Sequence, residues 1–208
     1  RWAGRKDNGE KGKKWFAIFV GVIMLMSVAG FVFSLNPSGQ GANFRYGGLI
    51  FKQSPQGFYT AELNGVQIDF LYRPEDLADI DVSADIISKL TGSRSVRITY
   101  YWNSTLADDM ALFQFDVSNL LDSTHGVFVE PGFTTANPSN TTIVACNDAT
   151  PFVPVLLLQE ANNTALGIGS SNPNCIVLNA SSSTGFSRAA DKLKYAILGS
   201  GNSVSGGQ

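Results

Sequence analysis

The chain has 208 residues, 44% of them hydrophobic and 15% charged, with one histidine, two cysteines and a formal net charge of −2. Two cysteines and a lone histidine supply no recognisable metal-ligand spacing, and without a Cys-x-x-Cys pair they do not suggest redox chemistry. The basic residues gather at the N-terminus without interleaved aromatics, a poor basis for binding nucleic acid.

The first fourteen residues carry Arg1, Arg5, Lys6, Lys11, Lys13 and Lys14 against Asp7 and Glu10. The remainder carries nine basic residues against fifteen acidic ones. Between the two lies Trp15 to Leu35, 21 residues without a charge. At about 1.5 Å per residue such a helix reaches roughly 30 Å, the thickness of a bilayer's hydrocarbon core. A helix also satisfies its own backbone where water cannot. The stretch therefore predicts a single transmembrane helix. It is longer than the apolar core of a signal peptide, and a buried core helix would leave its basic flank unexplained. Positive flanks stay in the cytoplasm, so residues 1–14 are expected inside and the C-terminal domain outside the cell membrane. Gly21, Ser27, Ala29 and Gly30 are small enough to let a second helix approach. The domain division expected is a basic tail at 1–14, the span at 15–35, a linker at 36–43, an extracellular domain at 44–199 and a tail at 200–208.

In the outer domain, Tyr46 to Gln53 reads as a strand. Phe58 to Leu63 and Val66 to Tyr72 read as two more, joined by Asn64-Gly65, a dipeptide suited to a type I′ turn. Arg73 to Leu77 is a loop or short helical turn. Ser83 caps a helix ending near Leu90 and stopped by Gly92. Val96 to Trp102, VRITYYW, is a β-branched and aromatic run expected at the centre of a sheet. Thr105 is expected to cap a helix over Leu106 to Leu121, with Asp108 and Asp109 in its first turn; the Phe113 to Val117 portion also alternates like a strand. Gly126 to Glu130 reads as a short strand, Pro131 to Asn140 as a loop and Thr142 to Cys146 as a strand. Pro154 to Leu158 and Cys175 to Leu178 read as buried strands, and Gly167-Ile168-Gly169 as a turn. The last element is a helix over Thr184 to Leu198, with Phe186, Ala189, Ala190, Leu193, Ala196 and Ile197 on its packed face and Gly199 at its end. The fold expected is α+β: a transmembrane helix, then a mixed, largely antiparallel sheet domain with two or three helices.

Asn103, Asn140, Asn162 and Asn179 each head an N-glycosylation triplet. Cys146 and Cys175 are expected to form a disulfide in an oxidising compartment, closing a loop of about 30 residues at roughly 3–4 kcal/mol.

The segments Asn64-Gly65 through Glu75, Cys146 through Val155, Cys175 through Leu178 and Asp191 through Gly199 together resemble a set of single-pass membrane proteins of small-genome archaea. The resemblance implies an archaeal cell envelope and a disulfide-closed outer domain, and no activity.

Candidate chemistry is sparse. His125 follows the Leu121 to Thr124 helix end, where a solvated or capping histidine suffices. No Gly-x-Ser-x-Gly elbow accompanies the serines. Glu75, Asp76, Asp79, Asp81 and Asp85 form an acidic run in which Asp79-Ile80-Asp81 starts like a calcium loop and then breaks the pattern, so a solvated acidic face is expected. Tyr101 points away from Tyr100 and Trp102 along a strand, so Tyr101 or Trp102 offers an aromatic surface to a sugar or partner. The expectation is a non-enzymatic envelope protein without catalytic residues, metal or cofactor, whose partners are the bilayer and either its own copies or another envelope protein. A ligand- or glycan-binding module is the alternative, and an anchored hydrolase a third.

Overall fold

The computed structural model describes residues 15–16, 18–24, 26, 43–63, 65–137 and 141–201. The chain divides into two units, Arg1–Gln40 and Gly41–Gln208. In the first, residues 15–16, 18–24 and 26 are helical (α1). Most of the Trp15 to Leu35 span and nearly all of the 36–43 linker lie outside the described residues. Among those described, no helix is long and apolar enough to cross a membrane.

The second unit is α+β, with one antiparallel sheet, one mixed sheet and three helices. The first sheet is a meander of β1 (Phe44–Tyr46), β2 (Leu49–Gln53), β3 (Tyr59–Leu63) and β4 (Val66–Phe70) in sequence order. The single strand expected over Tyr46 to Gln53 is two half-hairpins. Gly47 and Gly48 take φ of +56° and +81° and reverse the chain between them, which side chains rarely permit. The next hairpin turns at Gly65, φ +81°, and pairs Leu63 with Val66; Asn64 lies outside the described residues. Alternation buries Phe51, Ala61, Ile68 and Phe70 on one face.

The second sheet has the order β6-β5-β7-β9-β8, built from β5 (Ser95–Tyr100), β6 (Phe128–Phe133), β7 (Val155–Glu160), β8 (Ala165–Ile168) and β9 (Cys175–Ala180). β5 runs parallel to β6 and β7, and β7 parallel to β9; β8 alone is antiparallel, on the edge beside β9. The expected largely antiparallel arrangement therefore holds for the first sheet and not for the second. The difference comes from helix α3 (Ala107–His125), which supplies the crossover that parallel neighbours require. Three local expectations also change. Pro131 continues β6 rather than starting a loop, because β6 is an edge strand and needs no donor there. Gly167 lies within β8 rather than in a turn. The Thr142 to Cys146 stretch makes only an isolated bridge, Phe133 to Ile143, before a 3-10 turn at Cys146–Asp148.

Helices α2 (Ala84–Gly92), α3 and α4 (Ser183–Gly201) complete the unit. Ser83 Oγ accepts from Ile86 N at 3.4 Å and caps α2, which runs through Gly92. Leu106, not Thr105, is the N-cap of α3, and no side chain caps it. The Phe113 to Val117 portion is helical: Phe113 and Val117 are buried four residues apart, while Phe115 faces outward. α4 continues past Gly199 to Gly201. One core joins the meander, the helices and one face of the second sheet.

A buried polar lock joins α4 to the end of β4. Asp191 Oδ2 accepts from Leu71 N at 2.6 Å and Tyr72 N at 2.9 Å, while its Oδ1 pairs with Lys194 Nζ at 2.7 Å. Lys194 Nζ also donates to Asp69 O at 2.6 Å and lies 4.8 Å from the centre of the Phe70 ring. Beside it the buried Tyr195 donates to Tyr72 O at 3.0 Å and stacks on Phe70, with ring centres 4.4 Å apart. Burial pushes the Tyr195 hydroxyl far above its ordinary range, so it stays a donor. Every polar atom of the lock thus has a partner, as burial requires.

Candidate ligand-binding cleft

In an open sheet of parallel strands, ligands collect outside the C-terminal ends, where neighbouring strands send their connections in opposite directions. β5 and β7 are such neighbours. β5 leads through α3 to β6 on one side, and β7 leads to β8 and β9 on the other. At their C-terminal ends lies a cleft of 490 Å³, lined by Tyr101, Asn103, Ser104, Thr105, Met110, Thr134 and the Leu157 to Glu160 stretch.

The loop from β5 to α3 forms one wall. It turns because Ser104 N donates to Tyr101 O at 3.0 Å and Ala107 N to Ser104 O at 3.2 Å. The indole N–H of Trp102 donates to Ala136 O at 2.8 Å and ties this loop to the segment after β6. Trp102 is consequently half-buried, while Tyr101 remains 47% exposed. Tyr100, the neighbour before it, turns inward and packs edge-on against Phe133. Burial, with a smaller contribution from Asp108, raises its hydroxyl pKa.

The end of β7 forms the other wall. The Glu160 carboxylate accepts from Ser104 Oγ at 3.0 Å and from Thr105 Oγ1 at 3.1 Å. Gln159 Nε2 donates to Asn179 Oδ1 at 2.7 Å, which fixes the plane of that amide. Met110 and Leu158, both buried, supply an apolar floor. The lining therefore combines one exposed aromatic ring, two amides, hydroxyls and a carboxylate. Among the described residues it contains no Lys, Arg or His, so anionic ligands meet no cation among them. It has the groups to stack on a ring and to accept and donate hydrogen bonds to hydroxyls.

The residues singled out in the sequence are spread over the domain. Tyr101 and Asn103 stand at the cleft, both exposed. Asn162 is exposed, Asn179 is half-buried in β9 with its Oδ1 engaged, and Asn140 lies outside the described residues. Cys146 and Cys175 form the disulfide, with Cα atoms 5.2 Å apart. It sits on the face of the second sheet opposite the helices, against Val144, Ala149 and Val155, and it is consistent with an extracellular or secreted location. His125 closes the far end of α3, its Nδ1 within 2.7 Å of Thr124 Oγ1, and burial holds its pKa below the ordinary 6.5. Among the acidic residues, Asp79 pairs with Arg188 and Asp85 with Lys89, each at 2.5 Å; the Arg188 hydrogen bond lowers the Asp79 pKa.

Glu160 escaped the sequence reading because both of its hydroxyl partners lie more than fifty residues earlier. Its signal was positional: it is the last residue of the apolar run VLLLQE, where a parallel strand emerges. Asp191 and Lys194 were signalled too, as charges spaced three apart within the apolar face of α4.

Comparison with known protein families, with curated proteins and with solved structures gives no match.

Proposed function

We propose that the protein is a membrane-anchored envelope module that binds a neutral, hydroxyl-rich ligand of the sugar class in the cleft at the ends of β5 and β7. The observation that carries this is the exposed Tyr101 ring lining one cleft together with a carboxylate and two amides and, among the described residues, no cation. An aromatic face and hydrogen-bonding groups suit the two surfaces of a pyranose ring, while a phosphate would find only Glu160 to repel it.

Two observations support the anchor and its orientation. In α1, Trp15, Phe16, Ile18, Phe19, Ile23, Met24 and Met26 are all more than half exposed, and a helix that is apolar all round belongs in lipid or a core. The disulfide belongs in an oxidising compartment. Protease treatment of intact cells tests the orientation: cleavage within the 44–199 region is expected, and full protection would overturn it.

Binding is tested by calorimetry of the full chain in detergent micelles against neutral and anionic oligosaccharides. A neutral sugar is expected to bind. Glu160→Gln should weaken it by roughly tenfold or more, the loss expected for a hydrogen bond to a charged group, and Tyr101→Ala should weaken it further. Preference for the anionic sugars would refute the assignment.

A second reading is contact with another protein of the envelope. It is favoured by Leu71 and Leu112, each at least 57% exposed, which line the groove between β4 and α3.

A further inference from the structure

We propose that the groove between β4 and α3 binds an extended, basic segment of another envelope protein by adding it as a strand to the free edge of β4. The inference gives the second reading its chemistry and is independent of the sugar cleft.

Among the described residues β4 ends its sheet and pairs only with β3. Main-chain groups along a strand alternate between its two edges. The outward set is identified by the lock from α4, which takes the C=O of Asp69 and the N–H of Leu71. The same alternation turns the N–H and C=O of Gln67 and the N–H of Asp69 outward. Among the described residues none of these three groups has a partner. Exposed edges of this kind are templates for strand addition, and peptide-binding domains use them in that way.

A groove follows that edge. It consists of two hollows of 280 and 400 Å³ that share Asp69, Asp116 and Lys194, with α3 as the opposite wall. Its charge is one-sided. Asp69, Asp109, Asp116 and Asp122 line it, and its one cation among the described residues, Lys194, is already held by Asp191 and by the Asp69 carbonyl. Asp116 is half-buried and makes no hydrogen bond or ion pair with any described residue. Burial raises its pKa, Lys194 pulling the other way, so a nearby cation would relieve an existing cost. Leu71 and Leu112 add exposed apolar surface at one end. Because side chains of an added strand also alternate, the complementary segment carries basic residues at every second position and apolar residues between them.

The test uses the full chain in detergent micelles and a blocked octapeptide alternating lysine and valine, followed by fluorescence anisotropy. The peptide is expected to bind, with affinity falling as salt rises, and a glutamate–valine counterpart is not. Two further copies carry N-methyl groups at every valine or at every lysine. One of them should lose at least tenfold, because one set of N–H groups faces β4, while the other keeps its affinity. Gln67→Pro removes an outward donor without touching the β3 ladder and should also cost at least tenfold; Asp116→Asn should cost severalfold and flatten the salt dependence. Absence of lysine–valine binding, equal binding of the acidic peptide, or full affinity in both N-methylated copies would each overturn the proposal. None of these outcomes depends on Tyr101 or Glu160, so failure here leaves the sugar cleft standing.

Discussion

The two faces of the five-stranded sheet are closed in different ways. On one, Val96, Ile98, Leu156, Leu158, Ile176 and Leu178 are buried in the main core under the helices. On the other, an irregular segment from Thr142 to Val153 covers Thr99, Val155 and Cys175 with a much smaller core. A helix satisfies its own backbone and needs only an apolar stripe to dock. The irregular segment has no such internal ladder, so side chains and a covalent bond hold it. Thr99 Oγ1 donates to Val144 O at 2.9 Å, and Asn172 Nδ2 reaches Cys146 O and Ala149 O at 3.0 and 2.9 Å. The disulfide closes the far end. Apolar area secures one face, and a few specific bonds secure the other.

Breaking each face at its fastening sharpens the contrast. Asp191→Ala takes the acceptor from the Leu71 and Tyr72 N–H groups and strips the buried Lys194 ammonium of its carboxylate, leaving it only the Asp69 carbonyl and the Phe70 ring. It should cost about 3–5 kcal/mol in chemical denaturation, with Asp191→Asn milder because it keeps an acceptor. Replacing Cys146 and Cys175 together by serine should cost about 3–4 kcal/mol in the chain-entropy model. Hydrogen exchange should then rise first across 142–153 while α3 and α4 stay protected; uniform loss would show that the two faces are one cooperative unit. Gly132→Ala places a methyl 2.7 Å from Val144 Cγ2 and should cost about 1–3 kcal/mol through overpacking, which Val144→Ala in the same chain should partly restore.

The smallest effect is a pH dependence. Burial lowers the His125 pKa below 6.5 in the fold, so the folded state disfavours the charged form. Its contribution is complete above 6.5 and declines as pH falls through 6.5 towards the lower folded value. Asp116, whose pKa is raised, favours folding in the opposite direction, most at low pH. The wild type minus His125→Gln difference in midpoint between pH 7 and pH 5 therefore isolates the histidine, and a flat difference would contradict the burial assigned to it.

Local pattern revealed what local physics decides. The hairpin turn at Gly65, the Ser83 cap and the apolar spacing along α4 are set by residues close in sequence, and each was legible. VRITYYW was read as a central strand, and β5 has neighbours on both sides. Pairing was not legible, because β5 meets β7 with Arg97 opposite Val155, and nothing in either segment states that register. The same holds for the cleft. Tyr101 was visible as an aromatic with the opposite phase to its neighbours, whereas Glu160 becomes a site residue only when β7 is laid beside the β5–α3 loop. β8 was hidden because a glycine within ALGI carries no side chain to reveal alternation.

The proposed ligand site lies at the C-terminal ends of β5 and β7. Nuclear magnetic resonance shift mapping of the full chain in micelles, titrated with a neutral oligosaccharide, tests this most directly. Shifts confined to Tyr101 to Thr105 and Gln159 to Glu160, absent in Tyr101→Ala, are the predicted result. Shifts centred elsewhere, or a response only to anionic ligands, would contradict it.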